Sequence, residues 1–213
     1  MEINVNYLSS GSAMKKLTAF DLQTDNGVFR IFHTDLDNED TYAITNLLFT
    51  QMFTQGFSWG PGSYNLGTFT RCFNLTVEVW LADKAEEIQI RDDSLRAILL
   101  PFWVPAIGLM VDDFERREQH RIELAEGEYA MLYELKLRND QEYLESDLYQ
   151  EYIEGGFTEE ACYLTFYPRA EPVQPEILRL ETSSAFPSWL QECDVLNPTY
   201  PLSIEDVGSP FNY

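Results

Sequence analysis

The sequence predicts a mainly β protein: an antiparallel, β-sandwich-like single domain with one or two accessory helices and an extended C-terminal arm. Three observations carry this prediction. Apolar and polar residues alternate at period two through most of the body of the chain, helical spacing is confined to two short segments, and six of the ten prolines fall after residue 170.

Residues 1–16 form a lead without strong patterning. Residues 17–22 and 28–32 read as strands flanking Asp25-Asn26-Gly27, whose Asn-Gly pair suits a tight hairpin turn. Between residues 41 and 55, Ile44, Leu47, Leu48 and Met52 recur at three- and four-residue steps behind the acidic stretch 37–40, which predicts a helix stopped at Gly56. Gly60-Pro61-Gly62-Ser63 reads as a turn, because it has neither the Lys nor the following helix of a phosphate-binding loop.

Phe73, Leu75, Val77, Val79 and Leu81 alternate with polar residues, as do Tyr129, Met131, Tyr133, Leu135 and Leu137, and both runs predict half-buried strands. The apolar run 97–104 reads as a strand covered on both faces, with Pro101 marking a bulge or an edge because it has no N–H to donate. Residues 108–111, 120–124 and 163–167 complete a set of eight strands. Across 140–154, Leu144, Leu148 and Tyr152 sit four apart while Asp147, Glu151 and Glu154 occupy another face, which predicts an amphipathic helix. The domain is thus expected over 17–170, and 171–213 as a Pro-punctuated arm that drapes over the domain or a partner.

Charge points to partners more than to chemistry. Thirty-six Asp and Glu face 14 Lys and Arg, a net −22, yet 45% of residues are hydrophobic and 14% aromatic, so the charge belongs to a folded surface and not to a disordered acidic tail. Residues 139–213 hold 15 of the acids but only Arg169 and Arg179 as bases. Such a surface repels phosphate backbones and anionic membranes and attracts basic grooves. The opening residues show no secretory pattern and no window approaches the ~20 apolar residues of a membrane span, so a cytoplasmic location is expected. Cys72, Cys162 and Cys193 are odd in number and widely spaced, which fits buried thiols better than a disulfide framework or a zinc site.

Catalytic patterns are scarce. His33 with Asp35 makes a weak metal pattern, the acidic loop 35–40 lacks the Gly and Glu of a calcium loop, and His120 reads as structural. Asp92-Asp93 and Asp112-Asp113 are the first carboxylate pairs to weigh for hydrolysis, though pairs are expected by chance in so acidic a chain. Bases and aromatics never assemble into a linear nucleic-acid track. No cofactor, metal or catalytic set is expected, and the chain reads as a non-enzyme.

What remains is an acidic stripe: Asp140, Glu142, Glu145, Asp147, Glu151, Glu154, Glu159 and Glu160, with no base between them. A solvated helix face explains it. It also suits a binding surface, since carboxylates spaced along a helix imitate a row of phosphates, with Tyr149 and Tyr152 as aromatic anchors. Glu142, Glu145, Asp147, Tyr149, Glu151, Tyr152 and Glu154 are therefore the candidate partner-binding residues.

Two stretches carry a family resemblance. Phe53-Thr54-Gln55-Gly56-Phe57-Ser58-Trp59-Gly60-Pro61-Gly62-Ser63-Tyr64 stands where the competence protein J (ComJ) family tends to have a helix leading into a Gly-aromatic step, a turn and a strand. Arg96-Ala97-Ile98-Leu99-Leu100-Pro101-Phe102-Trp103-Val104, followed by Ile122-Glu123-Leu124-Ala125-Glu126-Gly127-Glu128-Tyr129, has an apolar strand with a Pro-Phe step and then a strand, Gly and Tyr. In order and spacing these resemble the competence protein J (ComJ) family over roughly residues 17–168. The resemblance implies a stoichiometric inhibitor of a nuclease, or an immunity protein against a nuclease toxin. The expected function is therefore binding and inhibition of a basic protein partner; the alternative is a structural or assembly subunit whose arm wraps a neighbour.

Overall fold

The computed structural model describes residues 14–24, 27–33, 56–60, 62–69, 74–83, 87–113, 117–138 and 159–180. They form eleven strands: β1 (Lys15–Leu22), β2 (Val28–His33), β3 (Phe57–Gly60), β4 (Ser63–Gly67), β5 (Leu75–Leu81), β6 (Arg96–Val104), β7 (Leu109–Asp112), β8 (Gln119–Ile122), β9 (Gly127–Leu137), β10 (Glu160–Pro168) and β11 (Glu176–Leu180). Both helices expected from the sequence, over 41–55 and 140–154, lie outside the described residues.

A six-stranded sheet runs β1-β5-β10-β9-β6-β11 and a five-stranded sheet runs β3-β4-β2-β7-β8. Every pairing is antiparallel except β5 with β10, which is parallel. The period-two patterning explains the core directly. Val77 and Val79, Ile98, Leu100 and Phe102, Met131 and Tyr133, and Leu164 and Phe166 point from one sheet into a single apolar cluster; Phe29, Ile31, Leu66, Leu109 and Val111 meet them from the other. Each such buried side chain is worth about 1.5–3 kcal/mol.

Gly27 sits at φ 68°, as a turn glycine should, but no hairpin forms there. β1 pairs with β5, whereas β2 pairs with β4 and β7, so Leu22 ends a strand of one sheet and Val28 begins a strand of the other. The tight hairpin is instead β3 to β4, where Gly60 faces Ser63 and Gly62 adopts φ 67°.

The run 97–104 is not covered throughout. β11 flanks β6 only from Leu99 to Arg96, so from Pro101 to Val104 β6 has β9 as its only neighbouring strand among the described residues. Trp103 there is 46% exposed. Pro101 marks this free edge, as its missing N–H requires. Two outward carbonyls on the edge are capped by side chains from the other sheet: Tyr64 Oη donates to the Pro101 carbonyl, and His33 Nε2 donates to the Trp103 carbonyl at 2.7 Å.

The C-terminal segment begins by joining the domain's own sheet. Ile177 pairs with Ile98, a bulge follows, and Arg179 Nη1 donates to the carbonyls of Arg91 and Ser94, both at 2.8 Å. Residues 181–213 lie outside the described residues.

Candidate partner-binding surface

Glu142, Glu145, Asp147, Tyr149, Glu151, Tyr152 and Glu154 lie outside the described residues, but the two ends of their segment are placed. Arg138, just after β9, donates its backbone N–H to the Glu159 carbonyl at 2.9 Å and Nη1 to Glu159 Oε2 at 2.8 Å. The chain therefore leaves β9 and re-enters β10 at one point, held by a backbone bond and an ion pair.

The same geometry removes Glu159 and Glu160 from the acidic stripe. Glu159 is buried against Arg138, and Glu160 is fully buried, both its oxygens accepting from the backbone N–H of Phe69 at 3.1 and 2.9 Å. Both end the 139–158 excursion as internal anchors. Linear spacing had placed them with solvent-facing acids because alternation in β10 begins at that point.

The carboxylate pairs weighed for hydrolysis are structural. Asp112 receives Arg30 Nε at 3.1 Å and Nη2 at 2.5 Å, with both side chains at zero exposure. Asp113 receives Arg117 Nε at 2.9 Å, and Asp93 receives Lys136 Nζ at 2.8 Å. The Lys136 hydrogen bond holds the Asp93 carboxyl below its ordinary range, against an opposing effect of burial. On Lys136, burial works against the charge, but the hydrogen bonds to Asp93 and Tyr163 outweigh it and raise the ammonium's pKa. Asp93, Asp112 and Asp113 each already have a cation, and Asp92 stands exposed with only its backbone carbonyl engaged, by Arg179, so neither pair presents two free carboxylates to a substrate.

The histidines are structural as well. Donation from Nε2 to a carbonyl fixes the tautomer of His33, and its ring packs edge-on to Phe102. His120 stacks on Phe20 with ring centroids 3.9 Å apart, joining edge strand β8 to edge strand β1. Among the described residues no group of three His, Cys, Asp or Glu could hold a metal ion. Cys162 is a buried thiol in the core, and burial pushes its pKa well up.

One constellation escaped the linear reading. On the outer face of the six-stranded sheet, Lys16, Arg91 and Lys136 gather around Trp80 and Tyr163. Arg91 lies 4.1 Å from the Tyr163 ring centroid, Lys136 5.4 Å from the same ring, and Lys16 5.7 Å from that of Trp80. Strand order alone brings residues 16, 80, 136 and 163 together, so spacing along the chain held no signal. Each cation also has its own carboxylate: Glu78 for Lys16, Glu134 for Arg91 and Asp93 for Lys136. This cluster carries little net charge.

Apart from Lys15, exposed on β1, the described bases are thus committed internally. Arg121 and Arg179 serve backbone carbonyls, and Arg96 Nη1 donates to the Gly67 carbonyl at 2.6 Å. Asp83, Glu87, Glu118, Glu123, Glu126 and Glu171 stand exposed without an ion pair among the described residues. The negative field faces outward.

The family model of competence protein J (ComJ) matches residues 29–165. The chain belongs to the ComJ family. The matched span runs from β2 to β10 and takes in the acidic excursion, leaving out β1 and β11, the two edge strands of the larger sheet. Two solved structures are similar. One is ComJ from Bacillus subtilis, described as an inhibitor of the DNA degrading activity of NucA: 14% identical, covering 72% of this chain and 98% of that one, with a TM-score of 0.46. The other is the product of crocagin biosynthetic gene J, 14% identical, covering 74% and 99%, with a TM-score of 0.43. No curated protein matches.

Proposed function

We propose that this chain is a non-catalytic inhibitor that binds a nuclease, or a nuclease toxin, through that enzyme's basic groove. Membership of the ComJ family carries the reading, since ComJ from Bacillus subtilis is an inhibitor of the DNA degrading activity of NucA. Charge supports it: most of the described bases are taken up by internal ion pairs or backbone carbonyls, and the net −22 faces a partner. Glu142, Glu145, Asp147, Glu151 and Glu154 supply carboxylates to the groove, Tyr149 and Tyr152 anchor them, and the Arg138–Glu159 clamp fixes both ends of the segment. A cytoplasmic setting belongs to the same proposal.

The test is capture on the immobilised chain from native cell extract, eluted stepwise with salt, with each fraction assayed for DNA degradation with and without added free protein. We expect a salt-eluted nuclease that the chain inhibits at one-to-one stoichiometry. Changing the five carboxylates to amides should weaken that inhibition at least tenfold at low salt. Equal inhibition by the amide variant would remove this surface from the mechanism, and DNA degradation by the purified chain itself would remove the inhibitor reading.

A further inference from the structure

Two tryptophans on the outer face of the six-stranded sheet each stand beside a glutamate, and among the described residues only one of these pairs holds a cation. Trp80 Nε1 donates to Glu78 Oε2 at 3.0 Å. Lys16, the register partner of Trp80 on β1, lies 5.7 Å from the indole centroid and 2.6 Å from Glu78 Oε1. Indole face and carboxylate grip one ammonium together.

Trp103 has the same ingredients with no cation gripped among the described residues. Its register partner across β6 and β9 is Glu128, so the two side chains share one face with Cβ atoms about 5 Å apart. Phe102, Val104 and Tyr129 point into the core, which turns Trp103 and Glu128 outward. Trp103 is 46% exposed, and Glu128 has no ion pair among the described residues. Arg169 adjoins Glu128 by donating its backbone N–H to that residue's carbonyl at 2.9 Å, but its guanidinium turns to the Pro168 carbonyl and lies 5.6 Å from the Tyr167 ring.

We propose that Trp103 and Glu128 form a receptor for one arginine side chain of a protein partner, with Ile107, 41% exposed in the turn after β6, as its apolar rim. That the partner is a nuclease rests on the function proposed above; the receptor itself does not. A guanidinium can stack flat on the indole while donating to the carboxylate, a combination that an ammonium meets less well. The protein's negative field and exposed Glu126 and Glu171 favour a cationic visitor over an anionic or neutral one. Recognition is through side chains, because strand addition is closed here: Pro101 has no N–H, and Tyr64 and His33 occupy the outward carbonyls of Pro101 and Trp103. Those contacts and the pairing to β9 hold the Trp103 backbone before the partner arrives, which lowers the ordering cost of binding.

The experiment uses the full chain with 15N-labelled tryptophan indoles, the Trp103 resonance assigned from a Trp103→Phe variant. It is titrated with acetyl-Gly-Arg-Gly-amide and with the same peptide carrying citrulline. The arginine peptide should move the Trp103 resonance saturably while Trp80 stays nearly still, citrulline should move neither, and Glu128→Gln should weaken the effect by roughly 2- to 30-fold. An unmoved Trp103, an equal response to citrulline, or an undiminished response in Glu128→Gln overturns the receptor.

A second arm measures inhibition of a nuclease captured as above. A tenfold loss in Trp103→Ala supports the receptor as a nuclease contact. Unchanged inhibition overturns that assignment and leaves the inhibitor reading standing. Saturation by the arginine peptide with no nuclease inhibited supports the receptor and refutes the nuclease reading.

Discussion

Asp112→Asn is expected to cost about 3–5 kcal/mol of folding stability, because it strands a cation in a site closed to water. Arg30 and Asp112 face each other across β2 and β7 with both side chains at zero exposure, joined by Nε to Oδ1 at 3.1 Å and Nη2 to Oδ2 at 2.5 Å. Asparagine keeps one oxygen for one of these donors and turns an N–H₂ group toward the other. Arg30 Nη1 already lacks a partner, so the guanidinium has no alternative bond to fall back on. In urea, with a slope of about 2 kcal/mol/M, the midpoint should fall by roughly 2 M. In heat, at about 2–4 °C per kcal/mol, the melting temperature should fall by roughly 6–20 °C. The double variant Arg30→Met with Asp112→Leu should recover most of the loss, since neither charge then needs desolvating. A single variant within 1 kcal/mol of the parent, or a double variant no better than the single, would refute this account.

Three further outcomes follow from named contacts. Gly62→Ala forces a side chain onto φ 67° with its Cβ 2.5 Å from His33 Nδ1, so thermal unfolding should show a loss of about 1–3 kcal/mol, and an unchanged melting curve would contradict the crowding. Asp93, its pKa lowered by Lys136, adds stability that is present above its ordinary 3.8 and lost as pH falls through the lower folded value; with the carboxylate half exposed, Asp93→Asn should remove less than about 1 kcal/mol at pH 7, and 0.5 M salt should erase most of the difference. In a Cys72→Ser, Cys193→Ser background, Cys162 should resist a disulfide reagent at pH 8 until urea unfolds the chain, and prompt labelling of native protein would show that burial does not protect it.

Where residues contact their own neighbours along the chain, the fold was legible. Alternation from Phe73 to Leu81 and from Tyr129 to Leu137 located β5 and β9, and Pro101 marked the free edge of β6 because a missing N–H is a local fact. Alternation missed β3, β4 and β11: the first two are short and rich in Gly and Ser, with a strand after the 60–63 turn implied by the family resemblance alone, and β11 lies among prolines that suggested an arm. Asn26-Gly27 misled because a turn glycine specifies a bend and not which strands it joins. At the site, sequence singled out a charge stripe, but burial of Glu160 and pairing of Trp103 with Glu128 are consequences of register between distant strands. No one-dimensional pattern encodes those.

Charge in this molecule acts at two ranges, and kinetics can separate them. The field of 36 acids extends about 10 Å into 0.1 M salt and orients an approaching cationic partner before contact. Amide substitutions at Glu142, Glu145, Asp147, Glu151 and Glu154 weaken that field, so their effect should fall mainly on the association rate and shrink as salt rises. The Trp103–Glu128 pair works only at contact, where stacking and a short hydrogen bond form, so Trp103→Ala should act mainly through the dissociation rate and keep its effect at high salt. If the acidic segment instead docks tightly in the groove, its variants will also raise the dissociation rate, because desolvated ion pairs break on leaving and not on arrival. The split of each variant's effect between the two rates therefore tells which carboxylates touch the partner and which only attract it.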